Sequence, residues 1–135
     1  MRSPRRGVAA AILMSAASPV SAAPVRAAIY GNVHYTQEAG DIVGMEIRVR
    51  PHPRPSIDFV LCEGECAPQV RLPIAMVPGG FAFTYRQALT DQDGRALPDA
   101  LMHFTAAYRG RNLIVRMKGA PTEKLRPQRG PIALR

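Results

Sequence analysis

The sequence predicts an all-β fold, an antiparallel meander of about seven strands that forms a small barrel or a curled sandwich. Apolar and polar residues alternate with a period of two in five separate stretches, as in strands with one face in the core. Gly-, Pro-, Asn- and Asp-containing turn signals separate these stretches, and helical periodicity is missing from them. The five stretches are residues 43–49, 57–61, 70–76, 81–85 and 113–117.

Two further strands are predicted at residues 28–35 and 102–108, each before one of the alternating stretches. Consecutive strands with short connections pair antiparallel, which gives the meander. Pro73 lacks an amide hydrogen, so its strand should lie at a sheet edge or carry a bulge there. Pro51, Pro53 and Pro55 predict a stiff, extended connection between the strands that flank them.

The N-terminus has the pattern of a secretory signal peptide. Three arginines precede a short apolar run at residues 7–14, and small residues follow up to Ala22, where cleavage is expected. The domain plan is therefore a cleaved signal at 1–22, a single β domain at 23–125 and a flexible basic tail at 126–135. Paired Arg5 and Arg6 leave both the general secretory and the twin-arginine route open.

Export decides which partners the sequence favours. Loss of the three arginines of the signal lowers the formal net charge from +8 to +5, and no stretch of the mature chain is long and apolar enough to span a membrane. We expect a periplasmic or secreted bacterial protein with weak attraction to anionic surfaces. An exported protein is not expected to meet intracellular nucleic acid, so a nucleic-acid partner is not predicted.

Cys62 and Cys66 are the only cysteines, and they flank three residues that include a glycine. In an oxidising compartment two cysteines favour one intramolecular disulfide. The spacing fits a hairpin tip whose two arms are joined. A redox motif would need different spacing at the start of a helix, and a metal site would need ligands from elsewhere in the chain.

Catalytic and cofactor motifs are not found in this sequence. It has no nucleophile elbow, metalloprotease, phosphate-loop or dinucleotide signature, and its three histidines are not spaced as metal ligands. We therefore predict a non-enzymatic protein without metal or cofactor. The alternative is a small enzyme that uses scattered strand residues, namely Glu46, Asp58 and His103.

The favoured function is binding of a ligand or partner in the bacterial envelope. The ligand would be a lipid or small apolar molecule in a barrel mouth, or a protein on a sheet face. The alternative is polyanion binding through an arginine-rich sheet face, where guanidinium groups hold anions by paired hydrogen bonds. The candidate ligand-binding residues on that face are Arg48, Arg71, Arg86 and Arg116.

Overall fold

A computed structural model describes residues 28–135, so the predicted signal peptide lies outside the described residues. This part of the chain contains ten strands and no helix, hence none able to cross a bilayer. The strands are β1 (Ala28–Gly31), β2 (His34–Tyr35), β3 (Ile42–Arg50), β4 (Ser56–Gly64), β5 (Val70–Pro73), β6 (Ala75–Val77), β7 (Gly80–Thr90), β8 (Ala96–Arg109), β9 (Asn112–Met117) and β10 (Glu123–Gln128).

All strand pairs are antiparallel, and the chain runs as a meander around a nearly closed barrel. The strand order is β5-β4-β3-β1-β10-β9-β8-β7-β6, with β2 paired to β3 beside β1. β5 and β6 follow each other directly in the chain, yet β5 pairs with β4 and β6 with β7. One kinked segment therefore spans the gap between the two sheet edges. Pro73 ends β5 at this kink, so its missing donor falls at a sheet edge.

The barrel interior is filled by the apolar residues of the alternating stretches, which confirms the predicted all-β fold. Phe59 lies in an aromatic cluster at the centre, with ring centroids 5.0–5.8 Å from those of Phe83, Tyr85 and Phe104. Ile47, Ile57, Phe81, Leu113 and Leu125 are fully buried around it. Because the centre is filled with aromatic side chains, open space is left at the barrel ends.

The interruption between β1 and β2 is held by Asn32. Its side-chain oxygen accepts a hydrogen bond from the backbone amide of Met45 at 2.8 Å, and its backbone amide donates to the Met45 carbonyl at 3.1 Å. Gly44 on β3 has a φ of +116°, and a Cβ there would lie 2.7 Å from two oxygens of Asn32. A glycine is thus required for β3 to pass this close to the interruption.

The connection between β3 and β4 differs from its prediction. Residues 51–55 form a five-residue hairpin loop rather than an extended spacer, because Arg50 and Ser56 are already paired.

The β7–β8 hairpin is longer than predicted. After Ala82 on β7 and before Phe104 on β8, the two strands pair only with each other. The outer part of this two-stranded projection, residues 87–101, is here called the arm.

The C-terminal region also differs from the flexible tail predicted to begin at Arg126. β10 runs through Gln128 and pairs with β9 and β1, so it joins the two halves of the sheet in the middle of the strand order. Residues 129–135, here called the C-terminal segment, then cross the outer face of the sheet. Leu134 is buried there in a small second core with Val33, Val60 and Cys62. Sequence reasoning missed this segment because its anchor is a distant side chain.

Candidate functional site

A cavity of about 430 Å³ opens at the barrel end where β3 begins and β4 ends. Its volume falls in the range of sites that hold small ligands, roughly 300–1,000 Å³. The wall is built from inward-facing residues of five strands, mainly apolar, with three methionines among them. The main apolar lining residues are Met45, Leu61, Met102, Phe104, Val115 and Met117. We call this space the mouth cavity.

Two carboxylates line the opening of the mouth cavity. Glu63, next to the disulfide, accepts a hydrogen bond from the Gln87 amide of the arm at 2.8 Å. Glu123 at the start of β10 accepts a hydrogen bond from the side-chain amide of Asn32 at 2.8 Å. The Gln87–Glu63 bond joins the arm to the tip of β4. Burial, assisted by the negative charge of Glu63, raises the pKa of Tyr85 near this end, so Tyr85 stays neutral at physiological pH.

The arm continues the inner surface of the barrel beyond the cavity. Leu89 and Leu97 face each other across the hairpin and follow Met102 on the same face of the sheet. The register shift between Gln87 and Leu89 keeps them on that face, because β8 has the extra residue. Both leucines are more than a third exposed. An apolar surface thus leads from the cavity out along the arm.

The disulfide predicted between Cys62 and Cys66 is present at the tip beside the cavity. Their Cα atoms lie 3.9 Å apart, and amide–carbonyl bonds across the turn complete the hairpin. A disulfide is compatible with an oxidising compartment.

Replacing both cysteines with alanine should lower the unfolding free energy by about 2 kcal/mol, since so short a loop restrains little of the unfolded chain. Urea titrations of the variant and of reduced wild type should agree; an unchanged midpoint would contradict this prediction.

A second polar arrangement lies on the outer face at the opposite end of β3 and β4. Asp58 is 1% exposed and holds two arginines by their Nε atoms, Arg50 at 2.6 Å and Arg71 at 2.9 Å, on different carboxylate oxygens. Arg48 Nη1 lies 3.4 Å from the same carboxylate. Burial alone would raise the pKa of Asp58, but the hydrogen bonds and charges of Arg71 and Arg50 outweigh it and lower that pKa below 3.8. We call these four residues the arginine cluster.

Glu46 is the second buried acid of the outer face. Its fully buried carboxylate accepts hydrogen bonds of 2.8–3.2 Å from three consecutive backbone amides, those of Ile132, Ala133 and Leu134. No ion pair among residues 28–135 involves Glu46. Successive amides that point at one anion stabilise it through their dipoles. Glu46 therefore anchors the C-terminal segment.

The predicted site residues are only partly brought together. Arg48 and Arg71 belong to the arginine cluster, which also includes Arg50, a residue that the sequence prediction omitted. Arg86 pairs instead with Asp99 at 3.7 Å, and Arg116 lies on β9 opposite Thr105. Arg50 could have been found from its alternation with Arg48 on the polar face of β3.

The three residues of the predicted alternative enzyme have separate partners. Glu46 binds backbone amides, Asp58 binds arginines and His103 lies 2.9 Å from the Thr84 hydroxyl. Within residues 28–135 no hydrogen bond or ion pair links any two of them. No three His, Cys, Asp or Glu side chains of these residues are grouped to hold a metal ion. No protein-family model, curated protein or solved structure matches this chain.

Proposed function

We propose that this protein is an exported, non-catalytic carrier or sensor that binds a small apolar molecule in its barrel mouth. The observation that carries the proposal is the mouth cavity itself, an apolar recess whose lining continues onto the inner face of the arm. Transfer of apolar ligand surface from water into such a recess is favourable, at roughly 25 cal/mol per Å². Export rests on the signal-like N-terminus, and the disulfide agrees with it.

The chemistry of the opening defines the ligand class further. Glu63 and Glu123 place negative charge at the opening, while the cavity wall behind them is apolar. An amphiphile bound tail-first would set its polar end beside these carboxylates. A neutral or cationic polar end is therefore favoured over a fatty-acid carboxylate, which like charge would repel.

The methionines suit a site of this kind. Met45, Met102 and Met117 have flexible, polarizable side chains that adjust to ligands of different shape. The Gln87–Glu63 hydrogen bond connects the arm to β4 across the opening, and it is exposed to solvent. Its opening would let a ligand pass between the arm and the disulfide tip.

Binding can be tested with the uncharged fluorophore N-phenyl-1-naphthylamine. Wild-type oxidised protein should bind the dye with enhanced fluorescence. Met102→Trp, which fills the cavity, should weaken binding by about tenfold or more, equivalent to about 1.4 kcal/mol. Leu101→Trp is the matched control, because Leu101 is the neighbouring residue on the outer face of β8 and is 52% exposed. Equal affinity of the two variants, or no dye binding by wild type, would overturn the proposal.

A further inference from the structure

We propose that the arginine cluster is a binding site for a phosphate-type oxyanion, separate from the mouth cavity and independent of the proposed ligand carrier function. The site lies at the end of β3 and the start of β4, whereas the mouth cavity lies at the start of β3 and the end of β4. Arg50 lies seven positions after Val43 on β3, which corresponds to roughly 24 Å of strand, so one small molecule would not fill both sites.

The charge of the cluster is unbalanced. Three guanidinium groups surround the single carboxylate of Asp58, so the side chains of the cluster together carry a net charge of +2. Arg48 also donates to the backbone oxygen of Arg135 at 3.4 Å. Asp58 is buried beneath the arginines, so it repels an approaching anion less than an exposed carboxylate would. Burial of the Asp58 carboxylate costs desolvation free energy. This cost would be explained if the role of Asp58 is to position the guanidinium groups for an anion.

The hydrogen-bond geometry leaves the arginines free to bind. Arg50 and Arg71 each contact Asp58 through Nε, and their terminal nitrogens have no hydrogen-bond partner within residues 28–135. Their side chains are 39% and 62% exposed. Each guanidinium is therefore fixed at one edge while its other donors face solvent. Arginine donors held in this way fit the paired oxygens of a phosphate group.

A neighbouring recess extends the same positive surface. A cavity of about 570 Å³ lies between the ends of β1, β3 and β10 and shares Arg48 and Arg50 with the cluster. Arg129 and His52 also line it, and none of the lining residues within 28–135 carries a carboxylate. Arg50 thus lies between the recess and Asp58. An oxyanion held by Arg50 and Arg71 would have room beside it for the group to which the phosphate is attached.

Calorimetric titration of the oxidised protein with inorganic phosphate at low ionic strength tests the site. Arg50→Gln and Arg71→Gln should each raise the Kd about tenfold, the loss expected for a charge-assisted contact. Arg86→Gln is the matched control, since it removes the same charge from a side chain as exposed as Arg71. It should change the Kd by about twofold or less, because exposed charges at a distance are screened. Thermal unfolding of each variant verifies that it is folded, and Arg71→Lys separates the geometry of the guanidinium from its charge.

A second experiment distinguishes free phosphate from a lipid headgroup as the source of the bound oxyanion. The same variants are sedimented with phosphatidylglycerol vesicles and with phosphatidylcholine vesicles. The site is supported if binding depends on Arg50 and Arg71 but not on Arg86. Such binding of inorganic phosphate identifies free phosphate as the ligand, and such binding of phosphatidylglycerol vesicles but not of phosphatidylcholine vesicles identifies a lipid headgroup. Equal weakening by all three glutamine variants would show a general charge effect and overturn the proposal. Failure of wild type to bind in both experiments would overturn it as well.

Discussion

Replacing Glu46 with glutamine should release the C-terminal segment from the outer face of the sheet. The carboxylate accepts hydrogen bonds from three successive amides, and an amide side chain has one acceptor oxygen and a nitrogen that opposes those donors. Hydrogen bonds to a charged group contribute about 1.5–3 kcal/mol each when buried, and removing the acceptor leaves amides unpaired. We expect the unfolding free energy to fall by about 3 kcal/mol.

Limited trypsin digestion reports the release directly. Arg129 is the first residue of the C-terminal segment that Glu46 holds, and the Arg129–Gly130 bond should be cut much faster in Glu46→Gln than in wild type. Glu123→Gln is the control, because Glu123 accepts one hydrogen bond, from Asn32, on another part of the barrel. It should cost about 1 kcal/mol and leave Arg129 as protected as in wild type. Equal cleavage of both variants would contradict the role assigned to Glu46.

Replacing Asp58 with asparagine should destabilise the barrel by a similar amount at neutral pH. The change removes the buried negative charge that holds Arg50, Arg71 and Arg48, and loss of one partner of a buried ion pair costs about 3–5 kcal/mol. The arginines are partly exposed and regain water when released, so we expect a value near the lower end, about 3 kcal/mol. Asp99→Asn, at the exposed pair with Arg86, should cost at most about 0.5 kcal/mol.

The contribution of Asp58 should also depend on pH. The pKa of Asp58 is lowered in the folded protein, so the carboxylate contributes its stability above the unfolded pKa of about 3.9 and loses it as the pH falls through the folded value. Urea titrations of wild type and Asp58→Asn should therefore differ most at neutral pH and converge in strong acid. A difference that stays constant from pH 7 to pH 2 would contradict this assignment.

Much of the barrel follows from local sequence pattern. The alternation in residues 43–49, 57–61 and 81–85 places Ile47, Phe59 and Phe83 inward, and all three are buried in the structure. Period-two alternation is sufficient here because each strand has one face in the core. The cysteine pair is equally local, since a three-residue turn brings both residues to the same hairpin tip.

Local sequence pattern did not predict strand β10 or the segment that covers the outer face. In β10 only Leu125 is fully buried, and Pro127 interrupts the pattern, so the segment resembles a polar tail until it pairs with β1 and β9. Val60 and Cys62 were a missed signal, because apolar residues on the predicted solvent face of β4 indicate that something covers it. The cover is the C-terminal segment.

The sequence by itself determined the strands, their inward residues and the disulfide, because these depend on neighbours two to five positions apart. Only the tertiary structure decided what the polar residues do. Glu46 and Asp58 have the same pattern as solvated strand residues. Yet Glu46 binds amides 86–88 positions away, and Asp58 holds three arginines from two strands, β3 and β5. Their burial is a property of what folds over them, since a carboxylate leaves water only where donors from distant parts of the chain replace it.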